Sequence, residues 1–425
     1  MVSTVKQKPA TLDKLSKSLR GFYVPQFEIK VEGVGLPQDV MRDVIELTYE
    51  DDLDKMDSFQ ITVSNWDEAA KKYKYIGSEP SSLSGADNNE KTENGSNKTV
   101  RYELFEPCSK KVQIKMGYLG DLKNMMTGFF TTMEPTFSPS AAATLNVRGI
   151  NVLQRFRTKK YNDFFEKKTP SEIAELVGKR RDKGLKALRL PVKIVIEKSA
   201  KADETKLQHL AQRNEYSIDF LWKLARRQGY VVTMLEQKDA KSELQIRFGP
   251  SEQGKPSTEA MYELKLGQSL IDFKPRITTA NQFKSVTVNG WDRSRQRMIT
   301  GKASFDDKKM KRLNADLNYL LCMCDAREEL VVDEPVFNKK QANERARALL
   351  LDQQKQMVKV SGTTIGLPLL KAGSKVHISN VGARLSGDYF ITKTKHVFND
   401  SGYITKFDAR RETITEPEKT RSCKT

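Results

Sequence analysis

The feature that most constrains this sequence is the alternation of apolar and polar residues in many short segments, separated by turn residues. A two-residue period is typical of strands with one face buried, so these segments predict a mainly β protein. The pattern occurs in two groups, one in each half of the chain. They lie at residues 22–32, 43–49, 57–66, 111–119, 124–134 and 144–153, and at residues 282–291, 374–379, 388–397 and 402–410.

The middle of the chain combines helical and strand patterns. An amphipathic helix is predicted from Thr169 to about residue 183, with Thr169 or Ser171 as its N-cap. Another is predicted over 216–228 and ends at Gly229. Between them, residues 188–197 form a predicted strand. These elements indicate an α+β region between the two β-rich regions.

These patterns predict the class α+β, mainly β, with two β-barrel-like domains on either side of an α+β insert. Residues 77–99 are rich in Gly, Ser, Asn and Glu, with Leu83 as almost the only apolar residue, so we interpret them as a flexible insertion. The predicted division is an N-terminal arm (1–21), a first β-barrel domain (22–155) with the insertion 77–99, an α+β domain (156–278), a second β-barrel domain (279–411) with helices at 308–325 and 338–357, and a C-terminal tail (412–425).

Composition excludes several classes. The chain has 425 residues and a formal charge of +18, and it lacks the run of about 18 apolar residues that a membrane-spanning helix needs. No apolar signal sequence is visible, so we expect synthesis in a reducing cytoplasm. The positive charge has two interpretations: a polyanionic partner, or lysines scattered over a solvated surface. The sequence has no long basic tract interleaved with aromatic residues. Sequence-specific binding of nucleic acid is therefore not favoured.

Candidate metal ligands are few. The histidines are His209, His377 and His396, and the last two lie in predicted neighbouring strands. Two such histidines could bind a metal, but ordinary strand histidines with hydrogen bonds are the favoured interpretation. Cys322 and Cys324 form a lone C-x-C pair without the second pair of ligands that a structural zinc site usually has. We therefore expect no metal and no cofactor.

Catalytic patterns are also missing, since the sequence has neither a G-x-S-x-G nucleophile turn nor a phosphate-binding glycine loop. An acidic cluster, Asp51, Asp52, Asp54 and Asp57, could suggest a calcium or glycosidase site. It lacks the spacing of a calcium loop, so we predict a solvated turn. The expected protein is a scaffold and not an enzyme.

Several stretches together resemble the phage late control D proteins, the hub of contractile phage tails, which are similar to the T4-type hub and to the N-terminal half of VgrG spike proteins. The resemblance covers about residues 22–412, and it depends on the order and spacing of the motifs. They are Phe27 to Asp67, Tyr118 to Gly128, Gln212 to Gly229, Val286 to Asp292, Ala342 to Leu350, Gly366 to Pro368, Gly373, Gly387 to Tyr389, and His396.

This resemblance implies a structural baseplate hub of a contractile tail or of a phage-derived contractile injection system. Such a hub is a ring-shaped homotrimer in which six similar barrels adapt a sixfold tail tube to a threefold spike. The implied partners are further copies of the chain, a separate trimeric spike protein, a tail tube or tube-initiator protein, baseplate wedge proteins, and DNA or effector cargo passing through the channel. The implied location is the baseplate of a virion or injection particle. The alternative is a basic nucleic-acid-binding protein or a spike-associated cell-wall-degrading protein.

The motifs also supply candidate structural residues, and we predict no catalytic, cofactor-binding or metal-binding residue. Trp291 is expected to be a core anchor, because it ends an alternating strand at the start of the second β region. The candidates are Trp66, Asp219, Phe220, Trp222, Gly290, Trp291, Asp292, Gly387 and Tyr389.

Overall fold

The structure is a computed structural model of the whole chain. It describes residues 24–77, 104–107, 110–138, 140–180, 192–196, 201, 204–235, 245–251, 262–280, 282–292, 295–304, 327–332 and 335–411. Most of the insertion 77–99, the predicted helix 308–325, both terminal segments and all four cysteines lie outside these residues.

The first β unit, which follows the N-terminal arm, is built from alternating segments whose apolar side chains face one core. Ile29, Leu47, Ile61, Val112 and Ile114 are fully buried in it. Its elements are β1 (Pro25–Val31), β2 (Val34–Gly35), α1 (Gln38–Asp43), β3 (Val44–Asp52), β4 (Ser58–Ser64), β5 (Trp66–Asp67), β6 (Lys72–Tyr73), β7 (Lys111–Tyr118), β8 (Asp121–Ser138) and β9 (Ala141–Asn151).

The central unit follows a short 3₁₀ helix (Val152–Arg157) and has its own apolar core. The first helix begins with a capping box between Thr169 and Glu172, so Thr169 is the N-cap, and the second ends at Gly229 in the left-handed conformation. The elements are β10 (Lys160–Lys168), α2 (Pro170–Gly178), β11 (Lys193–Val195), β12 (Leu207–Tyr216), α3 (Ser217–Gln228), β13 (Tyr230–Leu235) and β14 (Gln245–Pro250).

The remaining elements form two further groups with separate cores. In the sheet–helix unit, a long helix packs on one face of a three-stranded sheet. This unit comprises β17 (Phe283–Asp292), β18 (Arg297–Ser304), β19 (Arg327–Val331) and α4 (Lys339–Lys355). The second β unit comprises β15 (Tyr262–Lys265), β16 (Leu270–Ile277), β20 (Val358–Ile365), β21 (Lys375–Ser379), β22 (Gly387–Asn399) and β23 (Gly402–Arg410).

The two β units share one 13-stranded, mainly antiparallel sheet, and β3 and β22 pair directly where the units meet. The strand order is β16-β20-β23-β22-β3-β4-β9-β8-β7-β1-β2, with β15 beside β21 and β21 beside β22. The mainly β class is therefore confirmed. The predicted domain boundaries stay a prediction. The strand pairing adds that β15 and β16 lie with the C-terminal strands, and that the sheet–helix unit is inserted between β16 and β20.

In the described part of the chain, no helix has both the length and the apolar character to cross a membrane.

Candidate functional site

The place where β3 meets β22 is the candidate functional site, because both β units and the central unit contribute to it. On the outer face, the carboxylate of Glu50 forms ion pairs with Lys393 and Lys395, at 3.2 and 3.0 Å. On the inner face, His396 lies opposite Tyr49, and their rings stack with centroids 5.7 Å apart. The pair of strands is thus held by charge on one side and by buried rings on the other.

His396 is fully buried, and both ring nitrogens have partners. Nδ1 lies 2.8 Å from the hydroxyl of Tyr403 and 3.1 Å from that of Thr405, while Nε2 lies 3.0 Å from the carbonyl oxygen of Leu370. Burial lowers the pKa of His396 to about 3, so the ring is neutral, with Nε2 donating to Leu370. The strand-histidine interpretation fits this geometry.

Asp51 lies two residues after Tyr49 on the same face of β3. It belongs to a group of polar residues that we call the junction cluster: Asp51, Asp57, Asn151, Lys371 and the backbone amide of Ala372. Asp57 is buried and accepts a hydrogen bond from the side-chain amide of Asn151 at 2.9 Å. Asp51 accepts one from the backbone N–H of Ala372 at 3.0 Å. The ammonium of Lys371 donates to two backbone carbonyls of β8, at 3.1 and 3.2 Å.

The two carboxyl groups of the junction cluster line the same small cavity. Burial, and then the charge of Asp57, raise the pKa of Asp51 well above its usual value. Burial raises the pKa of Asp57 to about 6, against the opposing effects of the Asn151 hydrogen bond and the Lys371 charge. Each of the two carboxyl groups therefore keeps its proton to a higher pH than an exposed aspartate does.

The prediction of a solvated acidic turn is wrong for two of its four residues. Asp54 is exposed, and its backbone N–H bonds the side chain of Asp52 in a local turn. Asp51 and Asp57 instead face inward. The signal was present in the sequence, because Asp51 continues the inward positions of Leu47 and Tyr49 along one strand. Lys371 lies in a loop and gave no such signal.

A small cavity adjoins the junction cluster, with Met234 and Leu235 of the central unit in its wall. The hydroxyl of Thr127, which also lines it, is buried without a partner in the described part of the chain. Thr394 lies opposite Asp51 in the β3–β22 pair. Among the described residues, its hydroxyl is likewise buried without a hydrogen-bond partner. Among the described residues there is no group of three His, Cys, Asp or Glu side chains that could hold a metal ion.

The candidates of α3 lie together on the central core. Phe220 and Trp222 are buried, and Phe220 stacks on Phe165 with ring centroids 5.8 Å apart. Asp219 lies in the first turn of the helix, where it accepts a 2.6 Å hydrogen bond from the guanidinium of Arg157. That guanidinium also lies 5.9 Å from the centroid of the Trp222 ring. These residues attach the helix to the segment before β10.

The prediction that Trp291 is a core anchor is wrong, because its side chain is 57% exposed. Val286 and Val288 face α4 and the core, and the next inward position is Gly290. A Cβ atom at Gly290 would lie 2.3 Å from Val336, which explains the glycine. Trp291 therefore points to the opposite face, where its cross-strand neighbour is the exposed Met298. Asp292 accepts a hydrogen bond from the backbone N–H of residue 295 at the following turn.

The other candidates have local structural roles. Trp66 donates to Glu68 at 2.7 Å and packs edge-on against Tyr73. Gly387 begins β22 with a φ of 137°, a conformation that favours glycine. Tyr389 is buried, and its hydroxyl donates to the backbone carbonyl of residue 385 at 2.6 Å. The structure brings none of these residues to the junction cluster.

The other two predicted histidines lie apart from His396. Nδ1 of His377 is 2.7 Å from a carboxylate oxygen of Asp388, its partner across the β21–β22 pair. His209 is exposed and stacks on Phe164. The structure thus does not bring His377 and His396 together as a ligand pair. Cys322 and Cys324 lie outside the described residues.

Three solved structures share this architecture. The 43 kDa tail protein of prophage MuSo2 from Shewanella oneidensis is 16% identical, with a TM-score of 0.58 over 91% of this chain and 98% of that one. A tail protein from Neisseria meningitidis MC58 is 13% identical, with a TM-score of 0.59 over 91% and 97%. The E. coli c3393 protein, described as a type VI secretion component similar to the T4 tail proteins gp27 and gp5, is 12% identical, with a TM-score of 0.51 over 91% and 77%.

The chain thus has the fold of phage tail proteins, which confirms the coarser part of the resemblance. The family model that matches is that of the Alg8 N-terminal domain, over residues 86–400, and the chain belongs to this family. The late control D family is not the one whose model matches. No curated protein matches significantly.

Proposed function

We propose that the chain is the structural baseplate hub of a contractile phage tail or of a phage-derived contractile injection system. In this role it adapts a sixfold tail tube to a threefold spike as a ring-shaped homotrimer. The observation that carries the proposal is the continuous sheet. Two β units of one chain lie side by side in it, joined by the β3–β22 pair. Three such chains would supply the six β units of a ring, and heterologous contacts close a ring when the rotation between copies closes.

The outer face of the shared sheet fits a wall that faces water. Glu50 on β3 lies between Lys393 and Lys395 on β22, and Lys406 on β23 lies opposite Lys395. These residues alternate with the buried Tyr49 and His396. A polar face with excess lysine suits the passage of DNA or another anionic cargo, because the lysines attract negative charge. This would give part of the chain's positive charge a function.

The proposed role is structural and involves no catalysis. Both ring nitrogens of the buried His396, for example, are engaged in hydrogen bonds within the fold. In this proposal the protein is made in the bacterial cytoplasm and becomes part of a virion or injection-particle baseplate. Its partners there are a spike protein, a tube or tube-initiator protein and wedge proteins.

The test is the native mass of the purified full chain, alone and mixed with the spike and tube-initiator proteins of the same particle. We expect a trimer, either alone or on adding the spike, and a complex with three copies of the chain per spike trimer. A chain that stays monomeric with both partners present, or that binds neither, would contradict the proposal. Cleavage of peptidoglycan or nucleic acid by the purified chain would favour the enzymatic alternative.

A further inference from the structure

The small cavity beside the junction cluster lies between three parts of the molecule. Asp51 and Asp57 of the first β unit line it, together with Lys371 from the loop before β21 in the second β unit. Met234 and Leu235, at the end of β13 in the central unit, form another part of its wall. A ligand in this cavity would therefore contact all three parts at once.

The hydroxyl of Thr127 is the observation that points to a ligand. Thr127 lies on β8, lines the cavity and is only 2% exposed. Its hydroxyl has no hydrogen-bond partner among the described residues. A buried polar group without a partner is unfavourable, and such groups commonly bond to an ordered water where the protein supplies no partner. This hydroxyl can both donate and accept a hydrogen bond.

The other polar groups that line the cavity have hydrogen-bonding capacity for a ligand. Asp51 and Asp57 each use one carboxylate oxygen for the bonds within the junction cluster described above. A carboxylate can accept several further hydrogen bonds. The ammonium of Lys371 donates to two backbone carbonyls of β8, and an ammonium has a third N–H group to donate. Donors and acceptors therefore meet at one cavity.

The volume and the polar groups of the cavity fit one water molecule. The cavity has a volume of about 20 Å³, and roughly 10–15 Å³ is enough for one water. A water molecule can donate to carboxylates and accept from a hydroxyl or an ammonium, so it matches both kinds of group. A metal cation also binds carboxylate oxygens, but here it would lie beside the positive charge of Lys371. Water is therefore the ligand that the cavity favours.

We propose that this cavity binds one ordered water molecule, which bonds the hydroxyl of Thr127 to the carboxylates of the junction cluster and to Lys371. The water adds a second link between the first β unit and the loop before β21, beside the direct bond from the backbone N–H of Ala372 to Asp51. It is thus an integral part of the fold at the junction of the two β units.

The sign of the stability change in one variant of the full chain tests the proposal. Thr127→Val keeps the shape of the side chain and removes the hydroxyl. If the water is bound, the variant loses a hydrogen bond and leaves the water with one partner fewer, so the equilibrium constant of unfolding should rise about tenfold. If the hydroxyl has no partner, removing it should leave that constant unchanged or lower it, which would overturn the proposal. Denaturant unfolding measures the constant.

Thr394→Val is the matched control. Thr394 is also fully buried, and its hydroxyl also has no partner among the described residues, but it is not one of the described residues that line the cavity. This variant should be as stable as the wild type or more stable. Equal losses of stability in the two variants would show that the effect does not depend on the cavity, and would contradict the bound water.

If Thr127→Val does not fold, a high-resolution crystal structure of the wild type, grown with calcium chloride, decides. We expect electron density for one water within hydrogen-bond distance of the Thr127 hydroxyl. A cavity without density would overturn the proposal, and so would a calcium ion identified there by its anomalous scattering. None of these outcomes bears on whether the chain forms a trimer, so the hub proposal is tested separately.

Discussion

At the scale of single residues, two tryptophans should differ sharply in their contribution to stability. Trp222 is 6% exposed in the central core, whereas Trp291 is 57% exposed on the outer face of β17. We expect Trp222→Ala to lower the free energy of unfolding by about 3–5 kcal/mol, the usual cost of removing a buried aromatic side chain. Trp291→Ala should change it by less than about 0.5 kcal/mol. Denaturant unfolding of both variants measures the difference.

Each of these variants is the control for the other, because the substitution is the same. A large loss in Trp291→Ala would mean that the side chain is covered in the folded protein. Unchanged stability together with lost oligomerisation would instead make Trp291 an interface residue.

The residue scale also shows what strand periodicity can and cannot predict. Val286 and Val288 lie inward on β17, and counting on by two reaches Gly290, not Trp291. The same count places Asp51 inward with Leu47, although an aspartate there looks like the start of a turn. What the count cannot supply is the partner. Asp51 meets Ala372, which is 321 positions away along the chain.

At the scale of elements, the packing of α4 on β18 depends on a glycine. A Cβ atom at Gly301 would lie 2.3 Å from the backbone carbon of Ala342 and 2.5 Å from the backbone nitrogen of Asn343. We expect Gly301→Ala to push the helix off the sheet and to cost about 1–3 kcal/mol of stability. In this variant, the backbone amides of Lys339–Lys355 should exchange faster than in the wild type, and the increase should be larger there than in the rest of the molecule.

The matched control is Gly249→Ala in β14, where an added Cβ would meet no atom within 4 Å. It should leave the stability nearly unchanged. Equal effects of the two substitutions would show that the helix does not pack as closely on Gly301 as this geometry requires.

Sequence patterns predicted most strands of the two β units, and they failed where burial does not alternate with polarity. β10 buries only Phe165 among its nine residues, so its sequence has no apolar period. β20 does alternate in burial, but its inward positions include Gly362 and Thr364. Gly362 leaves room for Phe407, since a Cβ there would lie 2.7 Å from that ring. At this position the large apolar side chain belongs to the neighbouring strand β23, and β20 contributes only a glycine.

At the scale of the whole molecule, His396 should stabilise both β units at once, because it contacts β3, β23 and the loop at Leu370. We expect His396→Gln to lower the melting temperature and to speed hydrogen exchange in both β4 and β20. A buried hydrogen-bonding group left without partners costs about 1–3 kcal/mol. His377→Gln removes a partly exposed histidine that pairs with Asp388, and it should change little.

The same pair of variants tests a pH effect. The folded protein keeps His396 neutral, with a pKa of about 3, whereas an unfolded histidine takes up a proton near pH 6.5. The stability from this residue is therefore complete above about pH 6.5 and is lost as the pH falls towards 3. The stability difference between wild type and His396→Gln should shrink over that range. A difference that does not change with pH would contradict the buried neutral ring.

The pairing of β3 with β22 also has a consequence for synthesis. During translation, β3 is made before β22 and can pair with β4 on one side, while its other edge stays open until β22 has been made. Closing so long a loop is slow, and an open strand edge can pair with a neighbouring nascent chain. We therefore expect the first β unit to finish folding only after β22 has left the ribosome. Chains that stop before β22 should aggregate, and slower synthesis at low temperature should raise the yield of native protein.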